Sequence, residues 1–469
     1  MESIGIVSGR PVPQDTKKLW QYSAAISACL LALATGSVLA WTSPALPQLK
    51  DPNGWLFVNT EQGSWIGSIL SIGAIIGAVP AGTLADKIGR KKTILATAVP
   101  YLLSWIIIIF ARSVALLCLA RTLAGISVGL TCVVVPIYIA EFAEPSIRGL
   151  LGSIFQLFLS AGILFGFIFG TFLNYTWFAV ICAQIEVVFL ATYIWMPESP
   201  QWLMGQGRKS EALRSLSVFR GPKYDVNEEL ASIQKSVEEA ALRKSSVLDL
   251  VKTRGARTAL FAGLGMLAYQ QLTGINAVIF YTEEIFAAAG SSLDADVASI
   301  IVAFVQTFMA CVAAVIVDRV GRRVLLIVSS STLALCLFLL GLYFKLDLNG
   351  IGWLPLVSLT TFMIAFSLGY GPIPWMMMGE LFPPETKGTA SVLAVMVNWS
   401  TSFLVTKFFS PLKATFGEGI TFWIFTVLMV SATIFGYFIV PETRGKSLQQ
   451  IQDELNGKNN CQTRNSEVA

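Results

Sequence analysis

About twelve apolar runs of roughly twenty residues each recur along this 469-residue chain. A run of that length has one main use, which is to cross ~30 Å of hydrocarbon as a helix. The runs lie at about 22–42, 64–84, 93–111, 115–140, 150–173, 177–196, 258–280, 297–317, 324–344, 352–378, 389–410 and 420–440. Only 13% of residues are charged, against about 25% in a soluble domain. The expected fold is an all-α membrane protein with twelve transmembrane helices in two six-helix halves. The first half is 22–196 and the second 258–440. A cytoplasmic segment 1–21 precedes them, a linker 197–257 with short helices joins them, and a tail 441–469 follows.

Lys and Arg orient the spans. Of 33, Lys50, Arg112, Lys345, Lys407 and Lys413 fall on one side and Arg121 inside a span, which leaves 27 on the side of the linker and both termini. That bias predicts cytoplasmic termini. Asn174-Tyr175-Thr176 on the opposite side is a glycosylation sequon, set very close to the membrane. The polar first twenty residues carry no apolar core of a cleavable leader. No cysteine pair falls in an outer loop, so no disulfide framework is expected. The chain has no histidine, which removes the commonest metal ligand.

Within the seventh run stands Gln270-Gln271-Leu272-Thr273-Gly274-Ile275-Asn276. Three buried amides would cost a few kcal/mol apiece if unpaired. Being uncharged, with several donors and acceptors each, they suit a neutral ligand rich in hydroxyls. An unbroken helix would scatter them, and Gly274 can break it and gather them at one cavity. The competing use is bonding between packed helices.

The halves echo each other. Asp86-Lys87-Ile88-Gly89-Arg90-Lys91 returns as Asp318-Arg319-Val320-Gly321-Arg322-Arg323. Glu141, with Arg148 and Gly149 after it, returns as Glu380 with Lys387 and Gly388. Pro197-Glu198-Ser199-Pro200 returns as Pro441-Glu442-Thr443-Arg444. A duplicated bundle places its ligand between the halves near mid-membrane. The repeated acids and bases predict a cytoplasmic salt-bridge clamp between the halves, made by Asp86, Arg90, Glu141, Arg148, Glu198, Asp318, Arg322, Glu380, Lys387, Glu442 and Arg444. The bases alone are also explained by topology.

These motifs, with Arg121-x-x-x-Gly125 and Gly371-Pro372-Ile373-Pro374-Trp375, resemble the sugar porter family of the major facilitator superfamily over nearly the whole chain. Lys387-Gly388, Asn398-Trp399 and Thr406-Lys407 make it similar to the insect facilitative trehalose transporters and related facilitative glucose transporters. The resemblance implies sugar contacts from Gln156, Gln270, Gln271, Asn276, Trp375 and Asn398. It also implies an aromatic outer gate at Phe280 and Tyr281. Pro372 and Pro374 free backbone carbonyls and suit a moving hinge at the same gate.

Some positions depart from the family pattern. Gln306 stands where the eighth span usually carries asparagine. Val38 stands near the place where proton-coupled relatives often carry aspartate, which argues for uniport. Against that, Glu186 lies 11 residues before Pro197, roughly 16 Å up the sixth span, and is a candidate proton site.

The expected function is therefore facilitative transport of trehalose or a hexose such as glucose by alternating access. Proton-coupled symport is the alternative, and a non-transporting sugar sensor a weaker one. No enzyme activity, cofactor, metal site or nucleic-acid partner is expected. The partners are a small sugar and the lipid bilayer, the working unit a monomer, and the location the plasma membrane.

Overall fold

The computed structural model describes residues 18–51, 56–144, 146–222, 224–242, 249–288, 294–346, 351–382, 384–444, 446 and 448–456. In the first half run α1 (Leu19–Ala40), α2 (Thr42–Leu49), α3 (Thr60–Ile88), α4 (Arg90–Phe110), α5 (Val114–Phe142), α6 (Arg148–Phe172) and α7 (Tyr175–Tyr193). The linker forms α8 (Pro200–Gly205), α9 (Lys209–Arg220), α10 (Val226–Leu242) and α11 (Asp249–Lys252). The second half holds α12 (Arg254–Leu272), α13 (Ile275–Ala288), α14 (Ala295–Val320), α15 (Arg322–Lys345), α16 (Leu354–Leu368), α17 (Ile373–Leu381), α18 (Pro384–Phe416) and α19 (Glu418–Phe438). A last helix, α20 (Leu448–Leu455), follows.

Among the described residues, eleven helices are long and apolar enough to cross a membrane. The remaining expected run, the seventh, falls on α12 and α13, which break apart at Gly274, where φ is +83°. The tenth run is broken too, between α16 and α17, where Pro372 and Pro374 supply no N–H to a ladder. Apolar side chains such as Phe172, Phe304, Val427 and Phe438 are exposed on the outside, as expected where hydrocarbon is the solvent.

The two halves meet along α3 against α18 and α6 against α14. Glycines bring the first-half helices close: a Cβ on Gly73 would sit 2.3 Å from the Thr122 carbonyl, and one on Gly129 2.1 Å from that of Ala74. α1, the linker helices and α20 share one end, here the linker end. Gln21 at the start of α1 donates to the Phe219 carbonyl and accepts from the Glu144 N–H. Phe219 stacks on Phe142 at 4.6 Å, and buried Arg220 pairs with Glu229 and the Phe142 carbonyl. α20 reaches the start of α12 through Asn456, whose side chain accepts the Gly255 N–H.

Candidate functional site

The broken seventh helix does gather its amides. Asn276 Nδ2 donates to Gln271 Oε1 (2.7 Å), and Gln271 Nε2 donates to Asn398 Oδ1 on α18 (3.0 Å). Asn398 Nδ2 donates back to Gln270 Oε1 (2.8 Å) and to the Leu267 carbonyl (3.0 Å). Gln270 Nε2 donates to the carbonyls of Tyr370 and Gly371, each at 2.8 Å. Those carbonyls are available because α16 stops before Pro372. All four amides are buried.

The network continues into the first half. Asn276 Nδ2 also donates to Ser402 Oγ (2.7 Å), and Ser402 Oγ lies 3.1 Å from Ser71 Oγ on α3. Ser71 and Ser402 thus join the candidate site, and neither is expected from the sequence. A single serine in an apolar run has no distinguishing signal unless the partner helix is known.

The other expected contacts stand apart from this chain of bonds. Gln306 on α14 is buried, with Oε1 lacking a hydrogen-bond partner. Gln156 on α6 is half-buried, and Trp375 on α17 is exposed.

The end opposite the linker is shut. Phe280 and Tyr281 are buried against α3: a Cβ on Gly67 would meet the Tyr281 hydroxyl at 3.3 Å and the Phe280 ring at 3.7 Å. Tyr281 stacks on Phe409 at 5.3 Å. Its backbone leaves the helical region (φ −124°, ψ 20°), a second break in the seventh helix.

At the linker end the repeated charges pair inside each half. Arg90 forms a two-oxygen pair with Glu141 (2.8–3.1 Å) and a second pair with Asp86 (2.8 Å). Glu141 also accepts from Ser199. In the second half Arg322 pairs with Glu380 (3.2 Å), which accepts from Thr443. Glu198 caps α4, accepting the Lys91 N–H at 3.0 Å, and Glu442 caps α15, accepting those of Arg322 and Arg323 at 3.1 Å. Gly89 (φ +102°) and Gly321 (φ +108°) leave room for these carboxylates, which a Cβ would meet at 2.3 and 2.9 Å. Arg148 and Arg444 are exposed and form no ion pair among the described residues. The side chains of Asp318 and Lys387 lie outside those described. No ion pair among the described residues joins the halves at this end.

Burial raises the Glu198 carboxyl above the usual range, against the N–H groups of Lys91 and Ser199 and the Arg90 charge. At Glu442 burial acts in the same sense, but the N–H groups of Arg444, Arg322, Arg323 and Thr443 outweigh it and hold the carboxyl low.

An arginine and a glutamate are fully buried in the first half. Arg121 spends its donors on the Val38 carbonyl (2.7 Å), Thr42 Oγ1 (2.9 Å) and the Ile66 carbonyl (3.3 Å), with Trp41 over its face. Glu186 accepts from Trp105 Nε1 at 3.2 Å through one oxygen, and its other oxygen has no partner.

A bundle with eleven helices long and apolar enough to cross a membrane, enclosing a buried cluster of neutral amides, has the architecture of a membrane transporter. The chain belongs to the "Sugar (and other) transporter" family, whose model matches residues 22–455. It is 40% identical over 446 residues to a facilitated trehalose transporter, Tret1, of Culex quinquefasciatus, covering 93% of this chain and 86% of that one. It is 39% identical to the Tret1 of Anopheles gambiae over 94% of this chain, which spans only 56% of that longer relative. Among solved structures it resembles the Escherichia coli xylose transporter XylE in a partially occluded inward-open conformation (TM-score 0.78, 25% identity, 92% of this chain and 100% of that one). It also resembles XylE, described as a proton:xylose symporter, bound to 6-bromo-6-deoxy-D-glucose (TM-score 0.75, 26% identity, 93% and 99%).

Proposed function

We propose that this chain is a uniporter that carries trehalose or a hexose across the plasma membrane by alternating access. In this reading α12 and α13 together make the seventh crossing and bring the eleven to twelve. The halves are 22–196 and 258–440, and the termini and linker helices are cytoplasmic. The unit is a monomer.

One observation carries the reading: the amide chain Gln270–Asn398–Gln271–Asn276 ends on Ser402–Ser71, across the two halves. Every group there both needs and offers hydrogen bonds, as a sugar hydroxyl does. Parting the halves at the far end separates Ser71 from Ser402, and sugar hydroxyls re-pair the groups set free. Without a ligand those groups would be left buried and unpaired, at about 1–3 kcal/mol each. Gly274 and Tyr281 are the two points where the seventh helix can bend over a bound sugar. Gln156, Gln306 and Trp375 complete the sugar contacts, and Phe280, Tyr281, Pro372 and Pro374 form the gate.

Arg121 supports uniport. No carboxylate among the described residues pairs with it, so its charge has no acidic partner there whose protonation could be coupled to sugar movement. Glu186, with one oxygen unpartnered, favours the second reading, proton symport. The test is uptake of labelled trehalose and labelled glucose in a transporter-null cell, each with and without a protonophore. The expected result is protonophore-insensitive flux that never exceeds the outside concentration. Glucose flux without trehalose flux would move the substrate to hexoses. Concentrative flux that collapses with the proton gradient would overturn uniport and point to Glu186.

A further inference from the structure

Among the described residues a single ion pair joins the two halves, and it lies at the end opposite the linker. Lys50 Nζ sits 2.6 Å from Glu284 Oε1, with the side chains only 28% and 22% exposed. Lys50 is the C-cap of α2, the outer piece of the first helix. Glu284 lies three residues past Tyr281, on the part of α13 beyond the second break in the seventh helix. The contact is reinforced next door, where Ser43 Oγ accepts the Glu283 N–H at 3.2 Å. Swinging the outer piece of α13 away from α2 must therefore separate these charges and expose them to water.

We propose that Lys50 and Glu284 are positioning residues for transport, forming a latch that holds the outer piece of α13 over the closed far end and biases the carrier toward its linker-side-open state. This rests on the alternating-access reading but not on the identity of the sugar. The linker-end pairs close within each half, so they do not oppose it directly. Further cross-half ties at this end are uncharged on at least one side: Ser64 Oγ donates to the Lys407 carbonyl (2.9 Å), and Lys407 Nζ lies 4.2 Å over the Trp65 ring. The Lys50–Glu284 pair is thus the part of the closure that charge substitution and salt can address.

The test uses purified full-length protein, freed of its native cysteines, carrying Ser68→Cys as a reporter. Ser68 is fully buried on α3 and bonds only within its own helix, so its labelling by a maleimide reads opening of the far end. K50E or E284K alone is expected to raise the labelling rate about fivefold, the size of a partly buried ion pair. The charge-swapped K50E/E284K protein is expected to return to the parent rate. Raising salt from about 0.05 to about 1 M should speed labelling of the parent and, by screening the like-charge pair that each single variant creates, slow labelling of the single variants. The salt series needs no variant at the pair itself, so it stands even where a single variant folds poorly. A parent rate indifferent to salt, single variants that label like the parent, or a swap that fails to restore would each overturn the latch. Labelling is read without sugar, so a wrong substrate assignment leaves the result intact.

Discussion

The two halves carry the same linker-end design at different depths. In the first half Arg90 holds both oxygens of Glu141, whose side chain is only 11% exposed. In the second half Arg322 reaches Glu380 at 3.2 Å, and that side chain is 29% exposed. The cap glutamates differ in the same sense, with Glu198 dominated by burial and Glu442 by its hydrogen bonds. The first half also encloses Arg121 and Glu186, while the second is broken at Gly274 and again before Pro372. The first half is thus tied by buried charge, whereas the second presents its amides at helix breaks.

The sharpest way to break this contrast is to remove the central acid on each side. E141A takes from Arg90 its two-oxygen partner, leaving the exposed Asp86 and the more distant charge of Glu198, and should cost about 3–5 kcal/mol of stability. E380A should cost roughly half as much, because water reaches that pair. Thermal unfolding of both variants in one detergent checks this. Equal losses would mean that the two clusters are equally buried in the working protein.

Next in size are the cap glycines. G89A places a Cβ 2.3 Å from the Glu198 carboxylate at φ +102°, and G321A places one 2.9 Å from that of Glu442 at φ +108°. Backbone strain of about 1–3 kcal/mol is common to both, so the extra loss in G89A measures the tighter seat of Glu198. The same unfolding assay reads it, and G321A as the more damaging change would reverse the assignment.

The amides should separate the halves by affinity. Q271A or N276A should raise the apparent KM for sugar about tenfold, from a lost bond of about 1.5 kcal/mol. Q156A, in the first half, should raise it only about threefold. Unchanged kinetics in both Q271A and N276A would remove the second half's claim to the site.

Much of this was legible in the sequence for physical reasons. Run length and the spacing of Lys and Arg report on the bilayer directly, so the helix ranges agree with the apolar runs to within a few residues outside the broken seventh and tenth and the eleventh, where α18 is longer at both ends. Gly274 among three amides signalled a break because only a disrupted helix can turn Gln271 and Asn276 toward each other. The repeat of Glu198 and Glu442 was visible, but not that each caps a helix starting over a hundred residues earlier. A cap is a through-space relation between a carboxylate and backbone N–H groups, and composition does not encode it. The clamp reading joined the repeated charges across the halves, whereas in this conformation they close within them. Ser71 and Ser402 left no trace for the same reason, and neither did Lys50 and Glu284, whose partners lie over two hundred residues apart.

The smallest expected effect concerns the cap glutamates and has a sign that differs between the halves. A carboxyl raised by burial, such as Glu198, is held most favourably when neutral. Its contribution is full below the ordinary glutamate value of 4.5 and is lost as pH rises through its own higher value. A carboxyl held low, such as Glu442, contributes fully above 4.5 and loses that contribution as pH falls through its own lower value. Glutamine cannot ionise. E198Q should therefore gain stability relative to the parent as pH climbs from 4.5 toward 8, and E442Q should lose stability relative to the parent as pH climbs toward 5. Tm measured across that range for both variants gives opposite slopes if the first half buries its cap and the second solvates it with N–H groups. Slopes of one sign would mean that the two caps are equivalent, and the asymmetry between the halves would then rest on Glu141 and Glu380 alone.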